Sequence, residues 1–261
     1  MKEKRKVIYY RNELEDEFSN DTITPKIIDG HYDYRIGKLY LFQHLICYKC
    51  VVRPFAFIYL KLKYHHKIVN KKVLKRAKKT GFFLYGNHTN KVADAFIPTL
   101  LSYPIDMNVI VHANNVSIPK WGRITPYLGA IPLPDTMEAS KNFHKRLKMV
   151  IKRREGITIY PEAHIWPYYT KIRPFKSTSF GYPIHFSVPA YCFTNTYQKM
   201  RFRKTPRIVT YVRGPFFVNQ QLNRKDQKKQ LRNEIYQTMV QDSKNNNIEM
   251  IQYVKIEGEE Q

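Results

Sequence analysis

Cysteine is scarce in this chain: Cys47, Cys50 and Cys192 are the only three in 261 residues. Three thiols cannot build the disulfide framework of a small secreted scaffold, and they suit a reducing compartment. Cys47 and Cys50 form a lone C-x2-C. A zinc site would want a second pair, and a redox motif a strand before it and a helix after it. Here the pair sits inside an apolar, aromatic segment, which favours a chance pair on one helix face. Acidic residues are also few, 21 against 45 Lys and Arg, for a formal charge of +24. Such a balance predicts an anionic partner: nucleic acid, an anionic bilayer or a phosphorylated ligand. The opening stretch "MKEKRKVIYYRNELEDEFSN" is charged throughout and lacks the apolar centre of a signal peptide. The first 35 residues are expected to be an irregular or loosely docked lead-in. Internal repeats and low-complexity tracts are absent.

Hydrophobic residues make up 43% and aromatics 14%, so the chain folds rather than staying disordered. Its length suits one large domain, or one domain with a small helical appendage. Residues 39–62, "LYLFQHLICYKCVVRPFAFIYLKL", are apolar but carry His44, Lys49, Arg53 and Pro54. A spanning helix needs about 20 mostly apolar residues, and central cations are costly there. Aromatics followed by Lys61, Lys63, Lys67, Lys71 and Lys72 fit helices lying in a bilayer interface. Helices that pack their aromatics into the domain fit the same periodicity. Pro54 predicts two short helices rather than one.

Beyond Thr80-Gly81 the chain alternates. Apolar β-type runs at 82–85, 107–111, 157–160, 188–193 and 208–212 read as strands. Residues 136–154 place Ala139, Phe143, Leu147, Val150 and Ile151 at helical spacing, with Asp135 and Glu138 as the expected N-terminal capping pair and Gly156 just past the end. A second helix is expected at about 224–242. Short apolar strands alternating with helices predict an α/β domain with a mostly parallel central sheet flanked by helices. Ligands of such sheets bind beyond the carboxyl ends of the strands. Asn87-His88 and Pro161-Glu162 each leave a strand directly, so both belong at that edge.

His88 is the natural base there, and a carboxylate on its other ring nitrogen would fix the tautomer. Asp94 is the nearest in sequence. Six positions along a straight helix turn a side chain by about 240°. The two can meet only if the loop curls between them and the helix begins near Asp94. On spacing alone Asp94 is equally a plain helix cap.

Several blocks in order carry a resemblance. Asn87-His88 with Asp94, then Gly129-Ala130-Ile131-Pro132-Leu133, then Tyr160-Pro161-Glu162-Ala163, then Phe175-Lys176 and Val188-Pro189 resemble the conserved blocks of the PlsC-like superfamily of glycerophosphate and lysophospholipid acyltransferases. The likeness covers about residues 70–195. It implies a catalytic domain over 67–261, after an N-terminal lead-in and interfacial helical segment over 1–66. It also implies acyl transfer from acyl-CoA or acyl carrier protein to a hydroxyl of a glycerophosphate- or lysophospholipid-type acceptor. His88 and Asp94 would be catalytic, and Asn87, Glu162, Arg123, Arg173 and Lys176 would bind substrate. The backbone near Gly86-Asn87 would meet the oxyanion, and cations such as Lys91, Arg123 and Arg173 the donor's phosphates. No metal or resident cofactor is implied. The expected place is the cytoplasmic face of a membrane, peripheral or monotopic, on an anionic surface. The chain departs from the pattern at several points. The family's histidine-aspartate gap is four residues and this one is five, with Ala93 at the aspartate position. Pro134-Asp135 replaces an arginine associated with the acceptor phosphate, and "PEAHIW" replaces Pro-Glu-Gly-Thr-Arg.

Two other readings stand beside this one. His88, Asp94, His112, Glu162 and His164 are metal-ligand types, as a metal-dependent hydrolase would need, but their spacings match no zinc signature. A basic nucleic-acid-binding protein would explain the charge and the 20 tyrosines. Against it, no zinc finger, RNP or comparable motif appears, and the cations spread over several helices, so no nucleic-acid partner is expected.

Overall fold

The apolar runs expected to be strands do become strands, and a computed structural model of the protein, describing residues 6–18 and 23–256, shows what covers them. A seven-stranded sheet lies at the centre, in the order β2-β8-β7-β3-β6-β4-β5. Its members are β2 (Lys67–Val69), β3 (Phe82–Gly86), β4 (Met107–Val111), β5 (Ala130–Pro132), β6 (Gly156–Ile159), β7 (Ala190–Met200) and β8 (Arg203–Phe216). All neighbours pair parallel except β7 and β8, an antiparallel hairpin. Its strands run well past the two short runs expected at 188–193 and 208–212, β7 on to Met200 and β8 from Arg203 to Phe216. Extra residues such as Thr194, Asn195 and Thr196 are polar yet buried, so an apolar-run criterion misses them.

Every residue of β3 and β6 is buried. The reason is that helices cover both faces. On one face α5 (Met137–Lys152), α6 (Gly181–Phe186) and α7 (Arg224–Ser243) enclose a core that includes Phe83, Tyr85, Phe143, Leu147, Ile235 and Met239. On the other, α2 (Arg53–Tyr64) and α3 (Ala93–Ser102) enclose Phe82, Leu84, Ile97, Leu60 and Phe193. Full burial of each such large side chain is worth about 2–3 kcal/mol, which is why these strands carry no polar alternation.

Three expectations change. The capping pair at α5 is not Asp135 with Glu138: Thr136 caps the helix, its hydroxyl accepting the Ala139 amide at 3.2 Å. Asp135 is already taken, since its Oδ2 accepts the Ile28 amide at 2.7 Å. The lead-in is not wholly irregular. Residues Lys6–Tyr10 form β1, which pairs parallel with β9 (Ile251–Lys255) in a separate two-stranded sheet. And the helices around Pro54 are one coil: α1 (Lys38–His44), a π-helical stretch over Leu45–Val52, then α2. Pro54 falls in the first turn of α2, directly after the π-helical stretch has loosened the i→i−4 ladder, so its ring does not stop the coil.

The inward side of that rod is fixed by Asp106, which is buried and meets Lys49 Nζ at 2.9 Å, Arg53 at 3.1 Å and His44 Nε2 at 3.5 Å. Burial would raise the Asp106 carboxyl, but His44 and Lys49 outweigh it and hold the group down at about 2. The outward side leaves Leu39, Phe42, Val51, Phe55, Ile58 and Leu62 exposed. Among the described residues no helix is long and apolar enough to cross a membrane. The remaining short helix, α4 (Asn114–Ser117), follows β4.

Candidate active site

β3 and β6 are neighbours in register, Tyr85 opposite Ile159, so the segments that follow them leave the sheet side by side. Gly86 ends β3 where any Cβ would run into the Phe193 ring, at 2.1 Å from its nearest atom. Only glycine lets β7 approach this closely. Asn87 then turns inward and ties the two strands: its Nδ2 donates to the Asn195 carbonyl at 3.0 Å and its Oδ1 accepts the Asn195 amide at 2.8 Å.

His88 comes next, its side chain 18% exposed. Its Nδ1 stands 2.9 Å from Asp94 Oδ2. The five-residue gap closes because the intervening loop wraps around the carboxylate. Asp94 Oδ2 also accepts the amides of Thr89 and Asn90, each at 2.8 Å, while Asn90 Oδ1 accepts the Ala93 amide at 3.0 Å and starts α3. Ala93 itself is in the core. Pro98, four residues after Asp94 inside α3, has no amide to give the Asp94 carbonyl. The Tyr160 hydroxyl fills the vacancy at 2.6 Å, and the Tyr160 ring stacks on the imidazole at 4.3 Å. Burial, then the Asp94 charge, pushes the Tyr160 phenol far above its ordinary value, so it stays a donor.

A chain of hydrogen bonds runs inward from this pair. Asn195 Nδ2 donates to Asp94 Oδ1 at 3.1 Å, the Thr210 hydroxyl donates to Asn195 Oδ1 at 2.7 Å, and His66 Nε2 lies 2.8 Å from that hydroxyl. Each link fits a donor to an acceptor, which fixes the Asn195 amide in one orientation. With both carboxylate oxygens so engaged, the ring is left as the Nδ1–H tautomer, its Nε2 lone pair having no partner among the described residues.

Glu162 lies beneath this loop rather than in it, 3% exposed. Its Oε2 accepts the His88 amide at 3.1 Å and its Oε1 the Arg173 amide at 3.1 Å. Arg173, fully buried, pairs with Glu162 at 3.4 Å and donates to the carbonyls of His164 and Glu13. Burial pushes the Glu162 carboxyl up, against the pull of Arg173 and the two amides. Asn87, Glu162 and Arg173, expected to bind substrate, are all buried, and their polar atoms bond the strands and loop around His88. Arg123 and Lys176 are exposed in loops. His112 and His164 do not join the site. His112 accepts the Asn114 amide, and His164 faces Glu17 at 3.4 Å. Among the described residues no three His, Cys, Asp or Glu side chains gather as a metal would require.

Sequence reasoning missed Tyr160, Asn195, Thr210 and His66. Pro98 at four residues past a candidate carboxylate was the signal that an outside donor was needed. Nothing local points to Asn195, 101 residues from its partner.

The chain is thus an α/β protein whose mostly parallel, helix-flanked sheet carries a histidine-carboxylate pair at the carboxyl edge, the edge at which ligands of such sheets bind. No family model and no curated protein matches the sequence. Among solved structures the chain is similar to the 1-acyl-sn-glycerophosphate (LPA) acyltransferase PlsC from Thermotoga maritima, with a TM-score of 0.56 and 16% identity, over 80% of this chain and 88% of that one. At that identity the likeness defines the architecture, a PlsC-like acyltransferase fold.

Proposed function

We propose that this protein transfers an acyl group from a thioester donor, acyl-CoA or acyl carrier protein, to a hydroxyl of a glycerophosphate- or lysophospholipid-type acceptor. The observation that carries the reading is the His88–Asp94 contact at 2.9 Å, with the ring partly open at the strand-exit edge of this fold. Nε2 takes the proton as the acceptor oxygen attacks the thioester carbonyl. Asp94 steadies the imidazolium, and the thiol leaves with that proton when the tetrahedral adduct collapses. Base catalysis of this kind supplies about 10²–10⁴-fold. Arg123 and Lys176 are the exposed cations offered to phosphate groups of donor or acceptor, while Asn87, Glu162 and Arg173 keep the loop in shape. The exposed apolar side of the rod, on a chain of charge +24, supports work at an anionic membrane surface.

The test is labelled acyl-CoA and acyl carrier protein against a panel of lysolipids. His88→Ala is expected to lose at least about a hundredfold in rate. Transfer unchanged in that variant removes the reading.

A further inference from the structure

The β7–β8 hairpin does not stop where the rest of the sheet does. Gly86, the last residue of β3, is level with Phe193, and β7 runs on from there to Met200. At about 3.3 Å per residue, its turn at Arg201-Phe202 stands roughly 20 Å beyond the carboxyl edge from which His88 leaves. Phe202 is the most exposed large apolar side chain among the described residues, at 87%, and the Arg201 guanidinium lies over its ring at 5.1 Å. The last turn of α2 fixes where this tip is. Arg203 Nη1 donates to the Leu62 carbonyl at 2.8 Å. Leu62 ends the exposed apolar row Phe55, Ile58 and Leu62 on that helix. The Tyr64 hydroxyl accepts from Asn90, in the His88 loop, at 3.2 Å. Hairpin tip, end of the apolar row and His88 loop therefore share one edge of the molecule.

Charge points the same way. No Asp or Glu occurs between residues 38 and 93 or between 163 and 225, and these two stretches meet here. Lys199, Arg201, Arg203 and Lys204 belong to the hairpin, and Lys61 and Lys63 to the end of α2. The segment that Asn247 ties to the Lys199 amide brings one acid, Glu249, toward them. An aromatic tip set among cations suits the boundary of an anionic bilayer. The ring enters the acyl margin there, and guanidinium and ammonium groups on long stems reach the phosphates.

We propose that the hairpin tip around Phe202 is a second bilayer contact, which orients the protein so that the His88 edge faces the lipid. The inference rests on the reading that the rod works at an anionic membrane surface, and it adds what the rod by itself leaves open. A single rod lying in the interface lets the domain roll about the rod's long axis. A second contact at the carboxyl edge, on strands that are not part of the rod, stops that rotation.

The test uses the intact chain on vesicles of phosphatidylglycerol and phosphatidylcholine. The chain has two tryptophans, Trp121, which is exposed, and Trp166, which is fully buried. In a Trp121→Phe background, Phe202→Trp puts a reporter at the tip. Its emission is expected to move to the blue on vesicles and to be quenched by brominated lipid, while the background alone changes little. Phe202→Asp should weaken vesicle binding at least about tenfold, and Arg201→Gln about fivefold, both with an unchanged melting temperature. A tip reporter left unquenched on protein that sediments with the vesicles overturns the proposal and leaves the rod's contact standing. Failure of the unaltered protein to bind vesicles at all overturns both. Conversion of a dimer to a monomer by Phe202→Asp, with vesicle binding kept, assigns the tip to a second copy of the chain and overturns the proposal as well.

Discussion

At the scale of single residues the site is decided by what fills each vacancy. Asp94 is held at four points, by His88, Thr89, Asn90 and Asn195. Asn195→Leu takes away one of these and strands the Thr210 hydroxyl, at a cost of about 1–3 kcal/mol in stability. With the carboxylate free to turn, kcat is expected to fall about tenfold while KM holds. Steady-state kinetics beside chemical denaturation separates the two effects, and an unchanged kcat would show that Asn195 only packs. Ala163 is a second such point. It adopts φ of 64°, the left-handed region, where the resemblance leads one to expect glycine. A side chain there costs about 1 kcal/mol. Ala163→Gly is therefore expected to raise the melting temperature by a few degrees; a fall would mean that the alanine methyl packs usefully. Gly129 is the opposite case, with φ of 93° and the Met107 carbonyl 2.6 Å from where a Cβ would stand, so the backbone there tolerates no other residue.

Among elements, the strap from α2 into β2 carries a pH dependence. His66 is half-buried between them and bonds Thr210. Burial, then the charges of Lys61 and Lys71, hold its imidazole down at about 4. Below its unfolded value of 6.5 the unfolded chain takes up a proton that the folded chain refuses. Stability is thus full above that value and falls as pH drops through it toward about 4, by up to about 3 kcal/mol. His66→Gln, which keeps a donor for Thr210, should flatten this part of the stability curve. Urea unfolding between pH 7 and pH 4 reads it directly. The β1–β9 pair is another element with a local task. Trp166, fully buried, stacks on Tyr253 of β9 at 5.0 Å and donates to the Asp16 carbonyl, while its own amide bonds the His88 carbonyl at 3.1 Å. The chain's two terminal strands thereby brace the loop that supports His88.

For the whole molecule, charge and exposed apolar surface act together. Anionic vesicles are expected to sediment the protein and neutral ones to hold it weakly, with rising salt loosening the former. Phe42→Asp with Ile58→Asp removes two exposed apolar side chains from the rod without touching the core. Each is worth about 1.5–3 kcal/mol when buried in a bilayer boundary. The double variant should therefore bind vesicles at least about a hundredfold more weakly, with the same melting temperature. Undiminished sedimentation would assign the membrane contact to another face.

The α/β class, the parallel strands expected at 82–85, 107–111 and 157–160, helices α5 and α7, and the placing of His88 at a strand exit were all legible in the sequence. They rest on short-range periodicity and on burial from both faces, which a chain states locally. The meeting of His88 with Asp94 across an added residue was legible only as a condition, that the loop curl and the helix begin near Asp94, and it is met because the Thr89 and Asn90 amides draw the loop around the carboxylate. The continuity of the rod through Pro54 turned on a π-helical stretch that propensities do not encode. Nor could the sequence show that Glu162 and Arg173 are buried with their polar atoms on loop amides and carbonyls, or that Asn195 and Thr210 stand behind Asp94. Those were decided only by tertiary structure, since burial and partner depend on residues brought together from far along the chain.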